Sequence, residues 1–317
     1  MKASHYIGTK LLSGISLLLG VTFVSFVLMV YFGPDKTYDL LGKNPSIEQI
    51  REVREQLGYD RPFLSRYADY VRQLVSLDLG LSESSGERVT SILARTVPVS
   101  IALVLPGFIL GNLLGILLGL AAAWHRGRWL DKFIMGSSVV GMSISFLVII
   151  IALQVFLCTP YGLNLFPARG WEVQNLSSYL NYVTVPTLAL IFVTLGYNTR
   201  FYRAVMAEEL GRDHIQTALA YGASTSALLF RHVLKNSLVP VMTRLMFSVP
   251  LVIISGSLLL ESYFGIPGIG KATFEAITSG DQAILKAVVG LTAVLFVIAQ
   301  LVIDILYKLV DPRVARS

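Results

Sequence analysis

The sequence predicts an all-α, polytopic membrane protein. It has about six transmembrane helices, an external helical segment after the first span, and a cytoplasmic helical loop between spans four and five. Composition, apolar run length and the distribution of positive charge each point there. Of 317 residues, 54% are hydrophobic and 15% charged, and mean hydropathy is +0.66, too apolar for a water-soluble domain of this size. Six runs reach or approach the roughly 20 apolar residues that a hydrocarbon core of about 30 Å requires. Lys and Arg alternate between plentiful and sparse in successive short loops, as the positive-inside rule demands.

The runs extend from about Leu11 to Phe32, Val97 to Ala123, Phe133 to Cys158, Val183 to Tyr202, Leu238 to Leu260 and Leu285 to Tyr307. The first follows Lys2 and Lys10 but is longer than a signal-peptide apolar region and lacks a small-x-small cleavage site, so it is expected to be an uncleaved span. Arg126, Arg128 and Lys132 lie between spans two and three, and Arg200, Arg203, Arg212, Arg231 and Lys235 between spans four and five. These loops are assigned to the cytoplasm, which puts both termini inside. The segment from Pro34 to about Thr96 balances its Arg residues with acids, and long loops translocate regardless of charge. It is assigned to the outside.

The division is then residues 1–33 for the first span, 34–96 for the external segment and 97–317 for a five-span core with a cytoplasmic loop at about 203–237. The net charge of +6 follows from this topology: basic residues flank spans instead of clustering with exposed aromatics, which argues against a nucleic-acid surface. Cys158 has no partner cysteine, and His5, His125, His214 and His232 show no HExxH-type spacing. Neither a metal nor any other cofactor is expected.

Gly265 to Thr273, "GIPGIGKAT", comes within one residue of the phosphate-binding pattern G-x-x-x-x-G-K-[ST]. The match fails physically. Ala272 stands where a magnesium-holding hydroxyl is needed, the preceding residues form a span instead of a strand, and topology places the segment outside the cell. A Gly-Pro break beside a span can instead dip into protein-lined membrane, where irregular backbone is tolerated next to a cavity. Glu261 is expected at the mouth of this break, with Phe264, Pro267, Gly268 and Gly270 completing a gate or pathway element.

On the cytoplasmic side, Ile215, Ala218, Leu219 and Gly222 fall at i, i+3, i+4 and i+7, one face of a short helix that Gly222 terminates. Such a helix is too short to span and suits a partner's groove. In span two, Gly107, Gly111, Gly115 and Gly119 recur every fourth residue and form a strip for close helix packing, against a helix of this chain or of another subunit. Asn112, Gln154 and Asn198 lie in or near spans, where hydrogen bonding between helices is a simpler use than solute contact. Ser46 and Gln49 have capping-box spacing and Gly58 follows, predicting an amphipathic external helix.

"DHIQTALAYGAS" followed by "LLFRHVLKNSLVPV" resembles the cytoplasmic EAA-type motif of ABC importer permease subunits of the dipeptide, oligopeptide and nickel group. "REQLGYDRPFLSRYADYV", "LDLGLS", "ESYFGIPGIG" and "DILYKLVDPR" resemble further segments of one of that group's permeases, in the expected order along nearly the whole chain. The resemblance implies a subunit without enzymatic activity in the bacterial cytoplasmic (inner) membrane. It would work with a second homologous permease, two ATP-binding subunits and an external solute-binding protein to import peptides or related small solutes. Asp213, Thr217, Ala218, Tyr221, Gly222 and Ala223 would then belong to a coupling helix seated in an ATPase groove. Leu219 and Tyr221 stand where the group often has Arg and Lys, so that contact is expected to be less basic.

A proton-coupled secondary carrier is the alternative, but it would need coupling carboxylates within the spans and usually an internal repeat. Neither is evident in the sequence. The external helix, under the resemblance, contributes to docking of the solute-binding protein. Exchanging the charges of Glu52 and Arg54 is expected to weaken that docking; unchanged binding-protein affinity in a pull-down titration would count against the role.

Overall fold

Hydrocarbon offers no hydrogen-bond partners, so a chain this apolar must satisfy its backbone internally. A computed structural model describes residues 3–32, 37, 41, 45–56 and 58–310, and its regular elements are helices. In chain order they are α1 (Ala3–Phe32), α2 (Ile47–Gln56), α3 (Phe63–Ser76), α4 (Val89–Trp124), α5 (Trp129–Ser143), α6 (Phe146–Cys158), α7 (Leu176–Leu210), α8 (Asp213–Ala220), α9 (Thr225–Phe264), α10 (Ile269–Ser279) and α11 (Gln282–Val310). Helices α1, α4, α7, α9 and α11 are long and apolar enough to cross a membrane. Taken together, α5 and α6 are apolar and long enough for a sixth span, broken by a 94° bend.

That bend falls within the run expected as the third span, from about Phe133 to Cys158. Ile144 and Ser145 are extended and interrupt the helix, and neither half has the length of a full crossing. Two other boundaries also move. Helix α4 starts at Val89, before the expected Val97, because the proline at position 98 is accommodated within a continuing helix. Helix α7 runs to Leu210, so Arg200 and Arg203 lie on a helix and not in a loop. Helix α9 contains two π-helical stretches, Leu228–Leu234 and Val252–Gly256. Near the second, Ser257 Oγ donates back to the carbonyls of Ile253 and Ile254. The C-terminal residues 311–317, with part of the "DILYKLVDPR" segment, lie outside the described residues.

The chain divides into two compact units. One comprises residues up to Arg95 together with Ala272–Ile298; the other comprises Thr96–Lys271 and the residues from Ala299 onward.

In the first unit, the Ser46/Gln49 capping box opens α2: Ser46 N–H donates to Gln49 Oε1 at 2.9 Å and Gln49 N–H donates to Ser46 Oγ at 3.2 Å. Helix α3, which follows the one external helix expected from the sequence, packs on α1 through aromatic contacts of Phe63, Tyr67 and Tyr70 with Phe23 and Phe26. Tyr67 donates to the carbonyl of Leu19, and Tyr70 to that of Lys286 in α11. Burial, with Tyr67 as a lesser contributor, pushes the Tyr70 hydroxyl up to about 12. Leu74 of α3 lies against Gly290, where a Cβ would stand 2.1 Å from Leu74 Cδ1.

Just before α11, Asp281 is 1% exposed. It accepts from Ser82 Oγ at 2.6 Å, Ser84 N–H at 3.1 Å, Ser84 Oγ at 3.0 Å and Ile284 N–H at 3.2 Å. Burial alone would push its pKa up, but these donors together outweigh burial and hold the carboxyl below its usual range.

A group held below its unfolded pKa stabilises the fold above that unfolded value, about 3.9 for Asp. The contribution is lost as pH falls through the folded pKa. Asp281→Asn is expected to lower the thermal midpoint in detergent at pH 7 and to flatten the destabilisation seen below about pH 4. Equal midpoints for variant and wild type at pH 7 would refute the staple.

Candidate functional site

Three arrangements in the second unit place the residues singled out in the sequence. The first is the seam between α4 and α7. A Cβ on Gly107 would stand 3.0 Å from Leu190, on Gly111 2.6 Å from Thr194, on Gly115 3.0 Å from Asn198 and on Gly119 2.9 Å from Tyr202 and from the Arg203 amide. Gly107 with Leu190, Gly111 with Thr194, Gly115 with Asn198 and Gly119 with Tyr202 share one constant offset of 83 residues, so the two helices run parallel in fixed register. The glycine strip therefore meets a helix of this chain. Small residues every fourth position let the backbones approach closely where hydrophobic driving force is absent.

The close approach brings polar groups together. Asn112 donates to the carbonyl of Phe108 at 2.7 Å, and its Oδ1 accepts from Asn198 Nδ2 at 2.9 Å and from the Tyr202 hydroxyl at 2.7 Å. Gln154 donates to the carbonyl of Ala168 at 2.6 Å. Asn112, Asn198 and Gln154 thus hold helices and loops together, and Tyr202 is a member that sequence spacing did not reveal. One turn further, Arg203 forms a bidentate pair with Asp131 of α5, whose carboxylate also accepts from the Gly127 amide at 2.8 Å. Asp131 is 4% exposed. It fixes the start of the bent third span to α7.

The second arrangement is the break after α9. Gly265 closes the helix in the left-handed conformation, with φ +69°, and the Ile266 amide returns to the carbonyl of Glu261 at 2.9 Å. Phe264 and Ile266 are buried with Leu103, Ile150 and Val185, and the carbonyls of Tyr263 and Phe264 accept from Arg169 Nε and the Gly170 amide. Glu261, expected at the mouth of the break, is fully enclosed within this chain. Its Oε2 accepts from the Lys271 amide at 3.0 Å in the first turn of α10, while Ser100 Oγ accepts from the Ile269 amide at 2.8 Å. A carboxylate at a helix N-terminus complements the unpaired amides and the helix dipole.

Gly268 and Gly270 are required by proximity. A Cβ on Gly268 would lie 2.3 Å from Glu261 Cδ, and one on Gly270 2.5 Å from the Leu258 amide nitrogen. Of the break's residues, Pro267 is exposed, whereas Glu261, Phe264, Gly268 and Gly270 are buried. Glycine spacing that mimics a phosphate loop is here the imprint of a buried carboxylate and a neighbouring backbone.

The third arrangement is α8. Ile215 is 1% exposed and packs with Met206, Leu228 and Val233. The helix ends in a Schellman motif: the Ala223 amide donates to the carbonyl of Ala218 at 3.1 Å and the Gly222 amide to that of Leu219 at 2.9 Å, with Gly222 at φ +80°. Ala218 and Ala223 are half-buried; Asp213, Thr217, Tyr221 and Gly222 are exposed, and Tyr221 retains 89% of its surface. Leu219 is 41% exposed, so the expected single apolar face is divided: Ile215 and Ala218 point inward and Leu219 outward. Positions i+3 and i+4 point about 100° apart around a helix axis, so a narrow contact takes up one of them and leaves the other outside.

Gly268→Ala is expected to destabilise the break by about 1–3 kcal/mol through overpacking against Glu261, and to lower the thermal midpoint in detergent more than Pro267→Ala, whose side chain is exposed. A wild-type midpoint for Gly268→Ala would contradict the close approach.

Comparison with known proteins agrees with this architecture. Residues 115–316 match the family described as binding-protein-dependent transport system inner membrane component, and residues 4–104 match the N-terminal part of such membrane components. The dipeptide transport system permease protein DppB of Lactococcus lactis is 33% identical over 303 residues, which cover 95% of each chain. DppB of Bacillus subtilis is 30% identical, covering 94% of this chain and 93% of that protein. A Brucella abortus protein that carries the name of a peptide transport system permease is 31% identical, covering 96% and 97%. The chain belongs to the family of inner membrane components of binding-protein-dependent transport systems, as a multi-pass permease component that is not itself catalytic.

Proposed function

We propose that this chain forms half of a translocation pathway for peptides or related small solutes. A second homologous permease would complete the pathway, two ATP-binding subunits would drive it, and an external solute-binding protein would deliver the cargo. Peptides are favoured as cargo because the relatives in Lactococcus and Bacillus are named for dipeptide transport. A secondary carrier is not favoured, given the family to which the chain belongs. Both termini and α8 face the cytoplasm in this reading, supported by the Lys and Arg bias of the loops. Residues 34–96 lie outside, and residues 97–317 supply the five-span core.

The observation that carries the proposal is α8. A short helix is anchored from beneath by Ile215, closed by a glycine-dependent cap, and exposes Asp213, Thr217, Tyr221 and Gly222. It is a rigid knob on the surface and not a frayed loop. Nucleotide-driven closure of a partner would move such a knob as a body, and rigid-body movement is one of the ways alternating access is produced. The contact surface of Leu219 and Tyr221 calls for a groove with an apolar wall. The break from Glu261 to Gly270 is the proposed gate: its internal staples let it move as a unit with the end of α9.

ATP hydrolysis by the reconstituted complex, with a binding protein loaded from a casein hydrolysate, tests the proposal. Gly222→Arg forces a side chain into positive φ and adds charge to the exposed face. Stimulated hydrolysis and uptake are expected to fall at least tenfold. Wild-type stimulation and uptake in that variant would remove α8 from coupling.

A further inference from the structure

Immediately before α8, the chain makes a tight elbow. Helix α7 ends at Leu210, the Gly211 and Arg212 amides fold back to the carbonyls of Glu208 and Glu209 at 3.1 Å each, and the Ile215 amide reaches the carbonyl of Arg212 at 3.0 Å. Glu209, the penultimate residue of α7, is 4% exposed. Arg212 Nε stands 3.0 Å from its Oε2, and His214 Nε2, on α8, stands 3.1 Å from its Oε1. Asn236 Nδ2, near the middle of the cytoplasmic half of α9, lies 3.1 Å from the same imidazole nitrogen. One buried carboxylate is therefore within ion-pair distance of two side chains of the elbow, and one of these also touches α9.

A buried carboxylate is costly unless paired, and breaking its pairs costs more than the pairs contribute. Rotating α8 about the elbow would separate Glu209 from the Arg212 guanidinium and the His214 imidazole at once. The apolar contacts beneath, Ile215 with Met206, Leu228 and Val233, permit sliding, because dispersion contacts are non-directional. The polar ones do not. We infer that Glu209 is the positioning residue that locks α8 to α7 and α9, so that a force applied to α8 turns the membrane-spanning helices instead of bending the elbow. The inference rests on the coupling role proposed for α8 and adds the element through which the movement leaves it.

The test uses the full complex, with the binding protein loaded from a casein hydrolysate as probe. Glu209→Ala is expected to copurify with wild-type amounts of the ATP-binding subunits, because the exposed surface around Tyr221 and Gly222 is unaltered. Stimulation of ATP hydrolysis by the loaded binding protein should fall at least fivefold, with uptake falling in parallel. Glu209→Gln, which keeps an acceptor for Arg212, should recover part of the loss. Adding His214→Gln to Glu209→Ala should cost nothing further, since both act through one contact.

Wild-type stimulation in Glu209→Ala, or losses from Glu209→Ala and His214→Gln that multiply, would overturn the inference. Should Glu209→Ala fail to assemble, Arg212→Gln and His214→Gln decide: normal stimulation in both also overturns it. Gly222→Arg in the same assay separates the two levels. Stimulation lost there but kept in Glu209→Ala removes only the Glu209 lock, whereas stimulation kept in Gly222→Arg removes the coupling role itself.

Discussion

The close parallel approach of α4 and α7 is the constraint on which the second unit depends. In hydrocarbon, apolar side chains gain nothing by leaving lipid for protein, so association relies on packing, on hydrogen bonds between helices and on lipid entropy. Four glycines on α4 admit the backbone of α7, and the matching four-residue steps fix their register. Everything polar along the seam follows from that register. Asn112 meets Asn198 and Tyr202 two turns of α4 before Gly119 meets Tyr202 and Arg203, and the next contact is the Arg203 pair with Asp131. A slip by one residue would strand three buried polar groups at once.

Beyond the seam, three changes of chain direction lie near groups that accommodate them. Helix α5, just before its bend, packs against Gly196 of α7, where a Cβ would approach the Ser138 carbonyl to 2.7 Å and Met142 Cγ to 2.8 Å. The Gly-Pro break is held by Glu261 and Ser100, which take amides of α10 that have no partner within their own helix. The elbow before α8 is held by Glu209 with Arg212 and His214. In the last two, a buried carboxylate at a helix terminus stands where the chain changes direction. Charge is otherwise sparse in the interior of this unit, and these positions combine high burial with close donors or cations.

Much of the architecture was legible because bilayer thickness converts composition into length. The apolar runs, the glycine period of four, the Ser46/Gln49 cap and the Gly222 terminus are all local patterns, and local patterns survive in a linear string. The broken third span was not legible, since Gly141, Ser143 and Ser145 lie inside a run whose mean hydropathy looks continuous. The continuation of α7 through Arg200 and Arg203 is hidden for the opposite reason: charge in a linear string marks a loop, but Arg203 is neutralised by Asp131, some seventy positions away in sequence.

Membrane crossing, the approximate number of spans and, through several separated motifs, the family were readable from the linear chain, because hydrophobic length, charge bias and turn residues act on neighbours. Which polar residue meets which was settled by the packed helices. Packing encloses Glu261 as a helix cap, sets the glycine strip against a helix of the same chain, and makes Glu209 the buried centre of the elbow. Those outcomes depend on distances between residues far apart in sequence, which are set by helix register and not by any local pattern.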